Sequence, residues 1–567
     1  MSDQPASACV DPPGRDAHEV PPPRRGDVVN DNDKDTADVV VVGAGIAGLY
    51  MVYRLRSLGL SVRGFEAGSG VGGTWFWNRY PGCRCDVQSI DYSYSFSHEL
   101  EQEWDWTERF ATQPEILAYL NHVADRFDLR RHFSFGTRVT AAVLDEDALC
   151  WRVVTDKGHS VSARYCVFAT GSLSSASVPD VPGLSDFAGD WYHTGHWPHE
   201  GVDLRAQRVG VIGTGSSGIQ LIPALADEVD HLFVFQRSPN FSIPAPNRPL
   251  TDEERAEVRA TYPERRRLSR VSAAGSLHQS DPRSALVVSE EERRRAYEAA
   301  WERGGVLFSK TFNDQLSLLE SNDTARAFVE EKIRSVVTDP GTADRLVPTD
   351  HPIGTKRICS DSGYYETFNR DNVTLVDIRA DPITGISATG IATGSRHYDL
   401  DVIVFATGFD AMTGALTRID ITGRHGRLLR QAWAGGPETY LGLSVAGFPN
   451  LFVMTGPGSP SVLANMVLAA EQHADWIADC IGYLDAHELG GIEATPEAQS
   501  RWVATGNELA SATLFPSASS WYLGANIAGK PRVFMPFIGG FGAYRTICDD
   551  VAEKGYDGFD LLDRTKS

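Results

Sequence analysis

Cysteine is scarce and scattered in this sequence. Cys9, Cys83, Cys85, Cys150, Cys166, Cys359, Cys480 and Cys548 are spread over 567 residues, with no C-x-x-C and no Cys/His cluster. This pattern gives no support to a zinc site and argues against a disulfide framework. Reduced, buried thiols in a cytoplasmic protein without a metal are the expectation. Basic residues are also in deficit, 53 Lys and Arg against 75 Asp and Glu, a net charge of −22. Such a surface repels phosphate backbones, so no nucleic-acid partner is expected. Long apolar runs are missing too. The longest, Val39 to Tyr53, has fifteen residues, short of the roughly 20 that a membrane span needs. The acidic stretch before it does not resemble a signal peptide. With 42% hydrophobic and 23% charged residues, the chain reads as globular, and at roughly 150 residues per domain it holds about two to four domains.

Residues 1–36 carry six prolines and many aspartates without apolar periodicity, which predicts a disordered tail. Two later segments resemble each other. Asp38 to Ala67 and Arg208 to Pro239 each read valine-rich strand, glycine turn, helix, strand, the signature of a dinucleotide-binding unit. Two more strands, Tyr165 to Ser172 and Asp401 to Ala411, each carry Phe-Ala-Thr-Gly. They are expected to close one nucleotide domain and lead the chain into the next. The fold class is therefore α/β, with two Rossmann-like domains. The first is expected at 37–172 and again at 400–567, and the second at 173–399. Between 250 and 345, charged and apolar residues alternate at helical spacing, predicting a helical insert in the second domain. Its Arg265-Arg266-Arg267 run reads as a solvated helix face beside its own glutamates.

In the first motif the glycines are Gly43, Gly45 and Gly48. They permit a tight turn, close approach of a pyrophosphate and close helix packing, and the helix N-terminus faces the phosphates. Glu66, eighteen residues after Gly48, would accept from ribose hydroxyls, as in FAD or NAD. The second motif has Gly213, Gly215 and Gly218, and nineteen residues on stands Arg237 followed by Ser238. A guanidinium there can bind a 2′-phosphate that a carboxylate would repel, so this site should prefer NADP(H). The competing reading of Arg237 is an exposed charge. One FAD site and one NADP site imply hydride transfer from NADPH to a flavin.

A disulfide reductase needs a redox cysteine pair beside the flavin. Cys83 and Cys85, one residue apart, strain any bridge, which disfavours that branch; a monooxygenase instead passes the electrons to dioxygen. The sequence Phe187-Ala-Gly189-Asp-Trp-Tyr-His193-Thr-Gly-His-Trp197-Pro198 then matches F-x-G-x-x-x-H-x-x-x-W-P. Upstream, Gly72-Gly73-Thr74-Trp75, Tyr80-Pro81-Gly82 and Asp86 match G-G-x-W-x-x-x-x-Y-P-G-x-x-x-D. Both patterns resemble those of the flavin-dependent Baeyer–Villiger monooxygenases, and residues 38–560 look like the cyclohexanone and steroid monooxygenase branch.

That resemblance implies oxidation of a bulky, cyclic, steroid- or terpenoid-like ketone to an ester or lactone by NADPH and O2, through a C4a-peroxyflavin. A heteroatom (N or S) oxygenase on the same scaffold, and a redox sensor without turnover, remain alternatives. The resemblance places Lys356 on the 2′-phosphate, Arg357 between flavin and nicotinamide, and Asp86 as the carboxylate that orients Arg357. It adds Gly73, Thr74, Trp75, Tyr92, Val139, Thr214, Ser216, Ser217, Gln220 and Ser238 to the cofactor-binding set. Trp521 would close over NADP from a mobile loop, in which Ala528 replaces a proline common in the family. His193 would couple domain motion to cofactor position without acting as a base. A plain ion pair for Arg357 and Asp86, and a core aromatic for Trp521, are the bland readings. The ketone pocket is expected near Leu451 to Val467; the oligomeric state is left open.

Overall fold

Valine-rich strands seed two sheets. The computed structural model describes residues 36–564; the expected tail lies outside the described residues, apart from Thr36, which opens the first strand. In Thr36–Val42 the residues Val39, Val40 and Val41 are fully buried, as a strand covered on both faces requires. It pairs in parallel with Val62–Phe65 on one side and Ser160–Phe168 on the other. Cys150–Thr155 and Val139–Asp145 extend this sheet antiparallel. The chain returns to the sheet late: Asp420–Thr422 pairs with Val139–Asp145, and Leu451–Val453 with Ser160–Phe168. The helix Ile46–Ser57 follows the first glycine turn and packs against Met466–Ala486.

The second sheet is wholly parallel. Its spatial order is Val373–Asp377, His231–Gln236, Arg208–Ile212, Val402–Phe405, Asp190–His193. The expected division at residue 400 therefore moves. Val402–Phe405 is buried along its whole length because parallel strands flank it on both sides, so the second domain ends after it. Two connecting segments then run side by side between the sheets: Ser177 N donates to Gly408 O at 3.0 Å, and Asp410 N and Met412 N to Ser175 O and Ser172 O, both at 2.8 Å.

Residues 250–345 contain the helices Asp252–Val271, Glu290–Arg303 and Leu319–Val336, with Pro340–Leu346 crossing the end of that range. The first two start in capping boxes, Thr251 with Glu254 and Ser289 with Glu292, which satisfy amides that the helix leaves unpaired. The arginine run is a correction. Arg267 pairs with Glu264 on its own helix as expected. Arg266 instead turns inward and is 7% exposed. Its Nε donates to Glu101 Oε1 at 2.8 Å, and its Nη2 to Ser93 Oγ at 2.7 Å and Tyr94 O at 3.3 Å. Arg265 turns the same way, its Nη2 standing 3.6 Å from Asp91 Oδ1. Successive helical residues point about 100° apart, so two arginines of the three anchor the insert to the first domain while Arg267 faces outward.

Candidate active site

The two glycine turns are built alike. A Cβ on Gly43 would stand 2.4 Å from Ala169 O, and one on Gly213 would stand 2.5 Å from Ala406 O. Each turn is thus pressed against the backbone of the Phe-Ala-Thr-Gly segment at the end of a strand of its own sheet. Both turns have φ near +110° (109° at Gly43, 112° at Gly213), open to glycine and costly for other residues. The helices they lead into, Ile46–Ser57 and Ser216–Ala226, have no side-chain cap and no acid in their first turn. A helix start of that kind offers amide donors and positive dipole charge to a phosphate. Nothing stands within 4 Å of where a Gly215 Cβ would lie. The residues present therefore fit two dinucleotides.

A cleft of about 1270 Å³ joins the two turns. Its wall includes Gly43, Gly45, Glu66, Gly73, Thr74, Trp75, Asp86, Tyr92 and Val139 from the first domain. From the second side come Gly213, Thr214, Gly215, Ser216, Ser217, Gln220, Arg237, Ser238, Lys356 and Arg357, and from the C-terminal region Trp521. Gly48 and Gly218 stay behind the wall, where a Cβ would collide with Gly43 O and Gly213 O; their part is helix packing. Glu66 is buried and its carboxylate accepts from Ala44 N at 2.8 Å and Gly68 N at 2.7 Å. Burial pushes its pKa up, while those two amides oppose the rise. Gln220 ties the domains together: it accepts from Tyr80 Oη at 2.9 Å and donates to Arg84 O at 3.1 Å.

Arg357 and Asp86 meet in the wall of this cleft. Arg357 Nε and Nη2 donate to the two Asp86 carboxylate oxygens at 2.7 and 2.9 Å, and Nη1 to Val462 O at 2.8 Å. Burial works against the charge, but Asp86 and then Tyr522 outweigh it, so the guanidinium's pKa is raised. Sequence reasoning missed Tyr522 because the pattern directs attention to its neighbour Trp521; the two rings lie 4.3 Å apart. It also missed Asp350 and Arg379, which share the wall with Arg237 and Lys356. No local motif marks either.

The fingerprint residues lie mostly behind the cleft. Phe187 packs against the apolar cluster of the second domain that includes Ile212, Phe235 and Ile403, and Gly189 lies against Asp401, whose carbonyl oxygen a Gly189 Cβ would meet at 2.2 Å. His193 is buried, and its Nδ1 accepts from Gly195 N at 2.9 Å. Burial, then His196, pushes its pKa down to about 4, which leaves the ring neutral. It faces Phe409 of the connecting segment with ring centroids 6.0 Å apart. Trp197 is buried against Tyr192, and Pro198 leads the chain away.

A family model described as pyridine nucleotide-disulphide oxidoreductase matches residues 37–261. Its redox disulphide has no counterpart in Cys83 and Cys85, which are free, buried thiols with raised pKa values, about 12 for Cys83. A Baeyer-Villiger monooxygenase of Pseudooceanicola batsensis is 44% identical over 93% of this chain and 96% of its own length. The chain belongs to the Baeyer–Villiger monooxygenase family. This monooxygenase is also 42% identical to phenazine N-monooxygenase PhzNO1 of Lysobacter antibioticus, over 94% of this chain and 98% of that one. Among solved structures, an oxidized steroid monooxygenase bound to NADP is 64% identical with TM-score 0.90, covering 93% of this chain and all of that one. OTEMO in complex with FAD and NADP is 42% identical, also at TM-score 0.90, over 93% of this chain and 99% of that one. The monooxygenase is accordingly an enzyme that uses FAD and NADP(H). No helix among its described residues is long and apolar enough to cross a membrane.

Proposed function

We propose that the enzyme converts a bulky, cyclic ketone of steroid or terpenoid type to an ester or lactone. In balance, ketone, O2, NADPH and a proton give ester, NADP⁺ and water. The observation that carries this reading is the forked Arg357–Asp86 pair, set in the cleft that both glycine turns share. Bound FAD would supply the oxygen activation and NADPH the reducing equivalents. The chain's own part is electrostatic. Arg357 keeps a nearby oxygen nucleophile anionic and then takes up the charge that grows on the ketone oxygen as it is attacked. Asp86 fixes the direction of the fork, and a guanidinium gives up no proton at working pH. Trp521 and Tyr522 cover the site from the C-terminal loop and exclude water from it. Arg237 and Lys356 hold the NADP(H) 2′-phosphate. His193 acts at the connecting segments between the domains.

The bulky substrate is supported by the 64% identity to a steroid monooxygenase. The cleft also reaches Thr455, Val462, Ala464 and Met466, within the segment expected to shape the ketone pocket. The likeness to a phenazine N-monooxygenase favours a second reading, oxygenation of a ring nitrogen in the same cleft. Purified enzyme with NADPH should be offered steroid ketones, small cyclic ketones, a thioether and a nitrogen heterocycle, with products identified by mass. Esters from the bulky ketones are expected. An N-oxide with no ester from any ketone would replace the first reading with the second.

A further inference from the structure

We propose that Asp350 is a built-in counter-anion of the subsite for the 2′-phosphate of NADP(H), and that Arg379 is that subsite's third cation. The inference rests on the reading of Arg237 and Lys356 as phosphate-binding residues, and it adds two residues that no motif marks. Sheet register places them. Gln236 and Asp377 are paired on neighbouring parallel strands, so Arg237 and Arg379, one and two residues further on, emerge at the same end of the sheet. Lys356 comes from the loop after the helical insert, with Asp350 six residues before it. All four line the cleft together with Ser238.

The carboxylate sits among the cations. Asp350 Oδ2 accepts from Arg379 Nη2 at 3.0 Å. Its Oδ1 accepts from the buried His351 Nδ1 at 2.6 Å and stands 3.6 Å from Lys356 Nζ. Arg379 Nη2 also donates to Ser238 Oγ at 3.3 Å. A phosphate arriving here meets two cations already engaged by a negative charge. It must draw Arg379 and Lys356 away from Asp350 and tolerate the carboxylate beside it, so Asp350 holds the cations in place and weakens the grip on the phosphate. Such a residue limits how long the oxidised nucleotide is retained without altering the chemistry at Arg357.

The test is calorimetric binding to the FAD-loaded enzyme, with 2′,5′-ADP as the probe and 5′-AMP as the control. The unaltered enzyme should bind 2′,5′-ADP more tightly; equal affinities would remove the underlying assignment of Arg237 and Lys356. Given that preference, Asp350→Asn should tighten 2′,5′-ADP by about fivefold and leave 5′-AMP unchanged. Arg379 is more than half exposed, so Arg379→Ala should weaken 2′,5′-ADP by a modest factor, also about fivefold, again without effect on 5′-AMP. Unchanged or weaker 2′,5′-ADP binding by Asp350→Asn would overturn the counter-anion, and unchanged binding by Arg379→Ala would overturn the third cation. Retained flavin absorbance certifies each variant, and Asp350→Ser substitutes if the asparagine variant loses its flavin.

Discussion

Arg357 is held by three acceptors at once, two carboxylate oxygens and one carbonyl. That arrangement fixes both its charge and the plane of its fork, which a lysine cannot reproduce. Removing the guanidinium should leave hydride transfer alone and abolish stabilisation of negative oxygen. In Arg357→Ala, bleaching of the flavin by NADPH should proceed at nearly the normal rate. Oxygenated product should fall by about 10²–10³-fold, with hydrogen peroxide released instead. Stopped-flow absorbance and product analysis on the same sample separate the two steps, and ester formation near the unaltered rate would take Arg357 out of the reaction. Asp86→Asn keeps the shape of the partner but halves its acceptors. It should lower oxygenation less than Arg357→Ala does, and a loss as large would give Asp86 a role beyond orientation. At the second nucleotide site, Arg237→Ala should raise the KM for NADPH more than that for NADH; equal rises would defeat the phosphate assignment.

Elements differ in how much of them a sequence reveals. The two strand–turn–helix units were legible because every requirement is local: valine runs for buried strands, glycines at the turn, an apolar helix after it. The recurring Phe-Ala-Thr-Gly strands were legible as strands, yet the one at Val402–Phe405 was assigned to the wrong side of a domain boundary, since strand pairing is not written in a four-residue stretch. Arg266 was misread because its partner Glu101 is 165 residues away. Asp350 and Arg379 escaped notice because no local motif marks them, although Asp350's partners His351 and Lys356 are close in sequence. The C-terminal loop lies between these cases. Trp521 was legible from the pattern, whereas the ties that hold the loop were not. Lys530 Nζ donates to Asp410 Oδ1 at 2.6 Å and Ala411 O at 2.8 Å, and Asn526 Nδ2 to Phe409 O at 2.8 Å. These bonds fasten the loop to the segment that connects the two sheets, so the placement of the loop is tied to that segment. Lys530→Ala should loosen the loop. The expected result is several-fold more hydrogen peroxide per NADPH consumed, with flavin reduction little changed. An unchanged ratio of ester to peroxide would show that the loop is held by other means.

Across the whole molecule, the first domain, the helical insert and the late-returning helix Met466–Ala486 meet at one buried polar cluster. Glu471 on that helix accepts from Ser95 N and Ser95 Oγ, both at 2.6 Å. Arg270 from the insert donates to the same Ser95 Oγ at 3.1 Å, and Arg266 binds Glu101 beside it. Burial pushes Glu471 up to about 7, even though the Ser95 hydrogen bonds and then Arg266 and Arg270 pull the other way. A carboxyl raised in the folded state binds its proton more tightly there than in the unfolded chain. The stability this gives is complete below the ordinary carboxyl pKa and disappears as pH rises through about 7, a loss of about 3 kcal/mol by linkage. Glu471→Gln keeps an acceptor for Ser95 N and a donor for Ser95 Oγ, and it cannot ionise. Thermal unfolding followed by flavin release should give similar Tm values for the two proteins near pH 5. Above pH 8 the variant should be the more stable, because the other charged groups of the cluster are common to both and cancel. Parallel profiles across this range would mean that Glu471 ionises as freely in the folded enzyme as in the unfolded chain, and that the junction of the three parts is indifferent to its charge.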